Sequence, residues 1–369
     1  MKKYKSLIFL VVILFVAACV PGTPSIPDPD PGKDPGLVEP IPDPEPEPEP
    51  EPDFDFALYK PNELGEIPIW MYHNIREPES IWVRTPDNFR ADLQRFYDLG
   101  YRLVSLTDVI TNNIDISAGT SPLVLTFDDG NANNFNLLKN GEETTVDPDC
   151  TVGIIMDFAD SHPDMGTAAT FFVQLPHPFS QSASWYTAEH RQWKLEKLQE
   201  WGMEIGNHTL GHKHLKKDIK SLDDLQEQLG KPQYLLEDLL PGYKLNSLAL
   251  PFGGRPKAEW ADYVHQGQFQ GTTYQHDAIL LVGSAPAKPF NHTNYSPLAM
   301  PRIRASNYPD GDAKDFLDKA LARLENTRYI SDGDPDIITV PESNLDKLNK
   351  DSLEKKTLRT YTLEESIGP

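Results

Sequence analysis

Two adjacent carboxylates, Asp128 and Asp129, end the most strand-like segment of the chain, "PLVLTFDDG" at 122–130. Neighbouring side chains at the end of a strand point in different directions, so one carboxylate is suited to bind a cation while the other faces a substrate. The alternative is an Asx-type turn that only closes the strand. The doublet therefore predicts chemistry only if other residues supply partners for each carboxylate.

Two histidines at the spacing of a metal site follow in "GNHTLGHKH" at 206–214. His208 and His212 are four residues apart, so on a helical turn they share one face and converge on a single ion. Together with Asp129 they give three protein ligands and leave a position for water, which is typical of a catalytic metal site. Two exposed histidines on a helix are the alternative interpretation.

Apolar runs typical of buried strands lead into these residues. The runs are 67–73, 102–106, 122–127, 168–173, 203–208, 247–252 and 278–283. Helical patterns lie between them at 85–100, 189–202 and 221–242, and the first is expected to begin at Asp87 or Asn88. This alternation predicts parallel strands covered by helices, in a barrel or a doubly wound sheet. Reacting groups in such folds lie at the carboxyl ends of strands, where His73, the aspartate doublet, His208 and Phe252 occur.

The motifs "TFDDG" and "NHTLGH" resemble the first two motifs of the polysaccharide deacetylases, carbohydrate esterase family 4, whose catalytic region is the NodB-homology domain. The resemblance covers roughly residues 66–305 and implies an α/β fold, a distorted (β/α) barrel of the polysaccharide deacetylase type. It implies that Asp128 is the catalytic base. It also implies that Asp129, His208 and His212 bind one divalent metal ion, with zinc favoured and cobalt, nickel or iron left open.

The third family motif, usually Arg-x-Pro-Phe or Tyr-Gly, is "ALPFG" in this chain, with Ala249 in the place of the arginine. The backbone N–H of Phe252 is still expected to stabilise an oxyanion. Another residue must orient Asp128, and Arg302 and Arg304 in "PRIRAS" are the candidates.

The C-terminal Leu-x-His motif of the family, which carries the general acid, is not found, and residues 331–369 contain no histidine. Instead, "PIWMYHNI" at 68–75 resembles the exopolysaccharide poly-N-acetylglucosamine deacetylases, in which this strand and its histidine lie on the N-terminal side. His73 is therefore expected to be the general acid. His276 and His292 are expected to be solvated loop residues. Trp70, Trp82 and Trp185 are either sugar-stacking platforms or core residues.

The N-terminus has the pattern of a bacterial lipoprotein. Residues 1–18 form the predicted signal peptide, and "VAAC" resembles a lipobox in which Cys19 is lipidated; an ordinary signal peptide or a short anchor helix is the alternative. Residues 19–55 are rich in proline, aspartate and glutamate, with eleven acids against Lys33, and are expected to form a semi-rigid spacer. The spacer holds nearly half of the chain's formal charge of −22, and this acidity argues against nucleic acid as a partner.

The sequence also predicts the domain organisation and the activity. Residues 56–340 are expected to form the catalytic domain, and 341–369 a partly helical tail. The predicted activity is metal-dependent removal of N-acetyl groups from an N-acetylglucosamine-containing polysaccharide, by a monomer exported and lipid-anchored at the outer face of the cytoplasmic membrane or at the outer membrane. The alternatives are a glycan-binding lipoprotein with a degenerate site, and an O-acetyl esterase on the same scaffold.

Overall fold

The seven apolar runs marked in the sequence all form strands, and these strands belong to one sheet. The computed structural model describes residues 54–283, 285–309 and 316–362, so Cys19, the predicted signal peptide and the spacer up to residue 53 lie outside the described residues. The strands are β1 (Ile69–Tyr72), β2 (Asn74–Ile75), β3 (Val83–Arg84), β4 (Tyr101–Leu103), β5 (Ser121–Phe127), β6 (Leu137–Asn140), β7 (Glu143–Val146), β8 (Thr170–Val173), β9 (Glu204–Asn207), β10 (Ser247–Ala249), β11 (Gln266–Phe269), β12 (Thr272–Gln275), β13 (Ala278–Leu280), β14 (Ile303–Arg304), β15 (Ile337–Pro341) and β16 (Thr357–Tyr361). The α-helices are α1 (Phe56–Tyr59), α2 (Pro86–Asp98), α3 (Leu106–Ile110), α4 (Thr151–Ser161), α5 (Ala188–Glu200), α6 (Leu222–Leu239), α7 (Asp262–His265) and α8 (Phe316–Leu324).

Parallel pairing curls the main sheet into a barrel. Its strands follow the order β13, β10, β9, β8, β5, β1, β14, every pair of neighbours is parallel, and β4 also pairs with β5 in parallel. Leu280 at the end of β13 forms a bridge with Met300, just before β14, and the Leu281 N–H donates to the Met300 carbonyl at 2.8 Å. The two edges of the sheet therefore approach each other, which confirms the predicted distorted (β/α) barrel.

Both faces of the strands are buried, which explains why the strands are apolar throughout. Along β5 and β8, Val124 and Phe172 belong to one hydrophobic cluster, while the alternating neighbours Leu125 and Phe171 belong to another. The second cluster also contains the buried apolar residues of α2, α4 and α5. It is therefore the layer between the sheet and its helices.

Helix α2 begins earlier than the sequence suggested. Its N-cap is Thr85, whose hydroxyl accepts a hydrogen bond from the Asn88 N–H at 3.2 Å, and Pro86 occupies the first helical turn. The expected start at Asp87 or Asn88 was wrong because proline, with its fixed φ and no N–H to lose, is favoured at the first helical position directly after a capping threonine. Gly100 ends the helix as expected, with φ at +81°.

The described part of residues 341–369 contains more strand than expected. Strand β16 pairs in parallel with β15, and helix in this part is limited to two 3-10 segments, 342–347 and 350–352. Ile338 and Val340 of β15 pack with Leu64 and Leu348 in a small separate cluster. None of the helices in the described ranges is long and apolar enough to cross a bilayer.

Candidate active site

The carboxyl ends of the barrel strands meet in one cleft of about 470 Å³. His73 follows β1, the aspartate doublet follows β5, His208 follows β9, and Phe252 lies in the 3-10 turn after β10. The structure therefore brings together the residues that the sequence placed at separate strand ends. The cleft is lined by His73, Asn74, Trp82, Asp128, Asp129, His208, His212, Leu250, Phe252, Val282 and Arg304.

The predicted metal ligands form a cluster. The ligand atoms of Asp129, His208 and His212 all lie within 4.8 Å of one another. Asp129 Oδ1 is 3.5 Å from His208 Nε2 and 3.4 Å from His212 Nε2. These three side chains thus converge on one point from two different strand ends.

The environment of the histidines fits a cation. His208 Nδ1 lies 2.9 Å from the carbonyl oxygen of Ala249, so Nδ1 carries the proton and donates it, which leaves the lone pair of Nε2 directed at Asp129. Nε2 is buried and has no hydrogen-bond partner among the described residues. Burial lowers the pKa of His212, and this favours the neutral imidazole that a metal requires. A buried, unpartnered lone pair beside a carboxylate is the arrangement that a divalent ion would complete.

Backbone strain is concentrated around this cluster. Asp129, Thr209, His212 and Phe252 all have positive φ, at +75°, +63°, +51° and +56°. Each such residue costs about 1–3 kcal/mol, and non-glycine residues persist in this region only where their surroundings hold them. These conformations therefore lower the stability of the fold, and they occur in the two segments that carry the predicted metal ligands and in the turn that carries Phe252.

Asp128 is held by Arg302, one of the two candidate orienting residues. The Arg302 guanidinium donates from one terminal nitrogen to Asp128 Oδ1 at 2.7 Å and from the other to Oδ2 at 2.8 Å, and both side chains are buried. Arg302 also donates to Thr126 Oγ1 and to the Leu281 carbonyl. Burial raises the pKa of Asp128, but the Arg302 guanidinium, together with His208 and His73, outweighs this effect and holds the pKa well below its ordinary value. Asp128 is therefore a fixed and ionised carboxylate.

Arg304 lies at the rim of the cleft. Its guanidinium carbon is 4.1 Å from the centre of the Trp82 ring and 4.9 Å from that of Phe316. Trp82 is partly exposed, whereas Trp70 is fully buried and Trp185 packs against the core. Of the three tryptophans considered as sugar platforms, only Trp82 lines the cleft.

His73 faces Asp128 across the cleft. Its Nε2 lies 3.9 Å from Asp128 Oδ2, and its Nδ1 is buried without a hydrogen-bond partner in the described part of the chain. Burial lowers the pKa of His73, while the Asp128 carboxylate acts in the opposite direction. The buried side chain of Asn134 donates to the His73 carbonyl at 2.7 Å and so fixes the end of β1.

Phe252 contributes a ring as well as its backbone. The side chain is 63% exposed, and its ring contacts His212 and His214, with centroid distances of 4.7 Å and 5.8 Å. The predicted oxyanion donor, its backbone N–H, lies in the turn Pro251–Gly253. The sequence motif identified the backbone role but gave no signal for the exposed ring.

Two histidines expected to be solvated are buried instead. His276 is completely buried: its Nδ1 donates to the Val264 carbonyl at 2.7 Å, its Nε2 accepts from the Asn207 side chain at 3.0 Å, and burial lowers its pKa to about 4. His292 is 4% exposed, and its Nδ1 accepts from the Asn294 N–H. Neither burial was predictable, because His276 and His292 lie outside the apolar runs and helical patterns of the sequence.

The central part of the chain matches one family model. Residues 116–268, less than half of the chain, match the model described as polysaccharide deacetylase. The match includes the aspartate doublet, His208, His212 and Phe252, and it indicates hydrolytic deacetylation of a polysaccharide as the activity of the domain. His73 and Arg302 lie outside the matched residues: His73 directly follows β1, Arg302 directly precedes β14, and these two strands are neighbours in the barrel.

Several solved structures resemble the deacetylase domain. The Streptococcus pyogenes deacetylase PplD in complex with acetate is 20% identical, with a TM-score of 0.47 over 65% of this chain and 92% of that one. IcaB from Ammonifex degensii is 16% identical, with a TM-score of 0.45 over 66% and 92%. The polysaccharide deacetylase BC0361 from Bacillus cereus is 18% identical, with a TM-score of 0.47 over 71% and 69%. No curated protein matches the chain. At these values no residue role is transferred from the similar structures.

Proposed function

We propose that the domain hydrolyses N-acetyl groups of an N-acetylglucosamine-containing polysaccharide and releases acetate, with a divalent metal ion as cofactor. One observation carries the proposal: the cluster of Asp129, His208 and His212 lies beside Asp128, which Arg302 fixes and His73 faces, in a single cleft. A metal site, an ionised carboxylate and an imidazole are the groups that hydrolysis of an unactivated amide requires.

Asp129, His208 and His212 would hold the ion, and zinc suits one carboxylate and two imidazoles. When bound, the ion would polarise the acetyl carbonyl and lower the pKa of water to about 7. Cobalt, nickel and iron accept the same ligands, so the donor set alone does not select among them.

The other residues act on protons and charge. Asp128 is ionised and removes a proton from the attacking water, and Arg302 keeps its carboxylate in one orientation. The Phe252 N–H donates to the oxyanion, a contact of a kind that stabilises a transition state by about 3 kcal/mol. An amine leaves only when protonated, and protonated His73 supplies that proton from the opposite side of Asp128.

Two exposed aromatic residues support a sugar polymer as the substrate. Trp82 and Phe252 line the cleft, and such rings suit the apolar face of a sugar. Poly-N-acetylglucosamine, peptidoglycan and chitin-like polymers all offer the required acetamido group. The chain's formal charge of −22 disfavours nucleic acid as a partner.

The activity is tested by acetate release from N-acetylglucosamine oligomers, with the chain first stripped of metal and then given Zn²⁺ or Co²⁺. We expect metal-dependent release, its loss in Asp128→Asn and Asp129→Asn, and wild-type release in Asp87→Asn, an exposed acid of α2. Equal release by the wild type and Asp128→Asn would refute the proposal. Release from acetylated xylan but not from amino sugars would favour the O-acetyl esterase.

A glycan-binding protein with a degenerate site is the second candidate, and it rested on Ala249 and on the missing C-terminal histidine motif. Ala249 has no side chain that could hold Asp128, and Arg302 makes this contact instead. The same assay decides this candidate, because it predicts binding of oligomers without acetate release under any metal.

We also propose that the domain acts outside the cytoplasm as a monomer, tethered by a lipid on Cys19 at the outer face of the cytoplasmic membrane or at the outer membrane. The test is the distribution of the chain between membrane and soluble fractions. Cys19→Ser should move it to the soluble fraction, and an unchanged membrane fraction would contradict the lipid anchor.

A further inference from the structure

The two histidines of the proposed metal site lie on a strained turn. Thr209 has a φ of +63° although it is β-branched, and His212 has a φ of +51°. A free chain rarely adopts these values, so the segment 207–212 requires external contacts to present both imidazoles to Asp129. The question is which residues supply those contacts.

Three consecutive backbone N–H groups of this turn, those of residues 209–211, donate hydrogen bonds. One acceptor is the first residue of the turn, and the other two belong to a residue outside it. The Thr209 N–H donates to the side-chain oxygen of Asn207 at 2.9 Å. The Leu210 N–H donates to the carbonyl oxygen of Gln228 at 2.9 Å, and the Gly211 N–H donates to the side-chain oxygen Oε1 of Gln228 at 3.1 Å. A single residue of α6 therefore binds two of the three N–H groups between the histidines.

Gln228 has a free carbonyl because of the residue four positions later. In an α-helix the carbonyl of Gln228 would accept from the N–H of residue 232, but that residue is Pro232, which has no N–H. The Leu210 N–H takes this place. The proline inside α6 thus costs the helix a hydrogen bond and provides an acceptor for the metal-binding turn.

Helix α6 is itself fixed at the required distance. A Cβ atom at Gly230 would lie 2.8 Å from the Phe269 Cβ and 2.8 Å from the Tyr274 ring, so only glycine allows the hairpin β11–β12 to pack this closely on the helix. Asn207 also donates to the Leu229 carbonyl of α6 at 2.8 Å. The turn, the helix and the hairpin therefore form one continuous set of contacts.

We infer that Gln228 is a positioning residue for the metal site: it holds the 208–212 turn in its metal-binding conformation through both its carbonyl and its side chain. The inference rests on the proposed metal site. Gln228 is 3% exposed and does not line the cleft, so it acts on the ion only through the backbone of Leu210 and Gly211. The consequence is that Gln228 sets metal affinity without touching metal or substrate.

The test is the dissociation constant for Zn²⁺ of the full-length chain, measured by competition with a chelating dye, together with the visible spectrum of the Co²⁺ form. Gln228→Met removes the side-chain acceptor, and we expect affinity to fall by about tenfold or more, as when contacts that orient metal ligands are lost. Gln228→Glu keeps an oxygen at this position and should bind Zn²⁺ much more tightly than Gln228→Met. The Co²⁺ spectrum of Gln228→Met should differ from that of the wild type, because the two imidazoles are no longer fixed.

Gln233→Met is the matched control. Gln233 is on the same helix, is 2% exposed, and uses its amide to bind the backbone of Tyr243 and Leu245 instead of the metal-binding turn. It should lower stability and leave Zn²⁺ affinity unchanged. Equal losses of affinity in the two methionine variants, or wild-type affinity in Gln228→Met, would overturn the inference.

Pro232→Ala tests the backbone contact and serves if Gln228→Met does not fold. The new N–H at residue 232 competes with Leu210 for the Gln228 carbonyl, so Zn²⁺ affinity should fall while α6 gains its missing helical hydrogen bond. Wild-type affinity in this variant would contradict the role of the carbonyl. A wild-type chain that binds no Zn²⁺ would remove both this inference and the proposed function.

Discussion

Replacing Arg302 with methionine should change both the stability of the domain and the pH dependence of its activity. The substitution keeps most of the side-chain volume but removes the two hydrogen bonds to Asp128, which is only 2% exposed. Removing one partner of a buried ion pair typically costs about 3–5 kcal/mol, because the remaining charge is left buried and unpaired. We expect a loss of that size in the free energy of unfolding at neutral pH.

The sign of the pH dependence reverses in this variant. In the wild type Arg302 holds the pKa of Asp128 below its unfolded value, so the pair contributes stability at neutral pH that is lost as the pH falls through the folded-state pKa. Without Arg302, the desolvation that raises this pKa is opposed only by the smaller effects of His208 and His73. The folded-state pKa then lies above the unfolded value, and the destabilisation relative to wild type should shrink as the pH falls towards about 4.

The pH dependence of kcat should show the same rise in the pKa of Asp128. A protonated Asp128 is no base, so the acid limb of the pH profile of kcat should move to higher pH in Arg302→Met, with a loss of about 10²-fold or more at neutral pH. Arg302→Lys keeps the charge but not the two-pronged geometry, and its acid limb should lie between those of the wild type and the methionine variant.

The matched control is Arg84→Met, which breaks another two-pronged ion pair. Arg84 donates to the buried Asp92 at 2.8 Å and 2.7 Å. Its loss should lower stability by a similar amount and leave the acid limb of kcat in place. The reasoning is wrong if Arg302→Met loses stability like Arg84→Met but keeps the wild-type pH profile.

Three further outcomes are expected. His73→Gln should lower kcat by about 10²-fold or more with little change in KM, since it removes a proton donor and no binding contact; an unchanged kcat would exclude His73 as the acid. Trp82→Ala should raise KM for oligosaccharides more than it lowers kcat, and a change confined to kcat would contradict a platform role. Burial lowers the pKa of His276 from 6.5 to about 4, with His265 and Asp277 as the charged neighbours. Between pH 6.5 and 4 the unfolded chain therefore binds more protons than the folded chain. The free energy of unfolding, measured with urea, should fall by up to ~3 kcal/mol as the pH drops through this range. The fall should be smaller in His276→Gln.

Seven of the eight barrel strands were predictable from the sequence because both of their faces are buried. Uninterrupted apolar runs followed by polar residues marked the carboxyl ends of β1, β5 and β9, and parallel topology brings such ends together. The grouping of His208, His212 and Asp129 follows from that topology and from the spacing of the histidines. These features depend on local patterns, which a single sequence displays.

The choice between Arg302 and Arg304 was not predictable. The two residues are two positions apart, so along an extended segment their side chains lie on the same side, and only their depth in the barrel distinguishes them. Arg302 lies at the level of Asp128 and Thr126, whereas Arg304 lies at the level of Trp82 at the rim. Depth depends on the register of β14 with β1, which pairs Trp70 with Ile303 and Met71 with Arg304. Strand β14 has only two residues, too few to show a pattern.

The pairing of Asp128 with Arg302 joins residues that are 174 positions apart in the chain. During synthesis Asp128, the proposed base, emerges long before Arg302, and until β14 docks against β1 its carboxylate lacks this cation. A chain that stops before residue 302 would therefore lack the residue that fixes the proposed base, even if the proposed metal ligands are all present. The proposed activity would thus depend on completion of the barrel, and chains that end before residue 302 should be inactive towards polysaccharide.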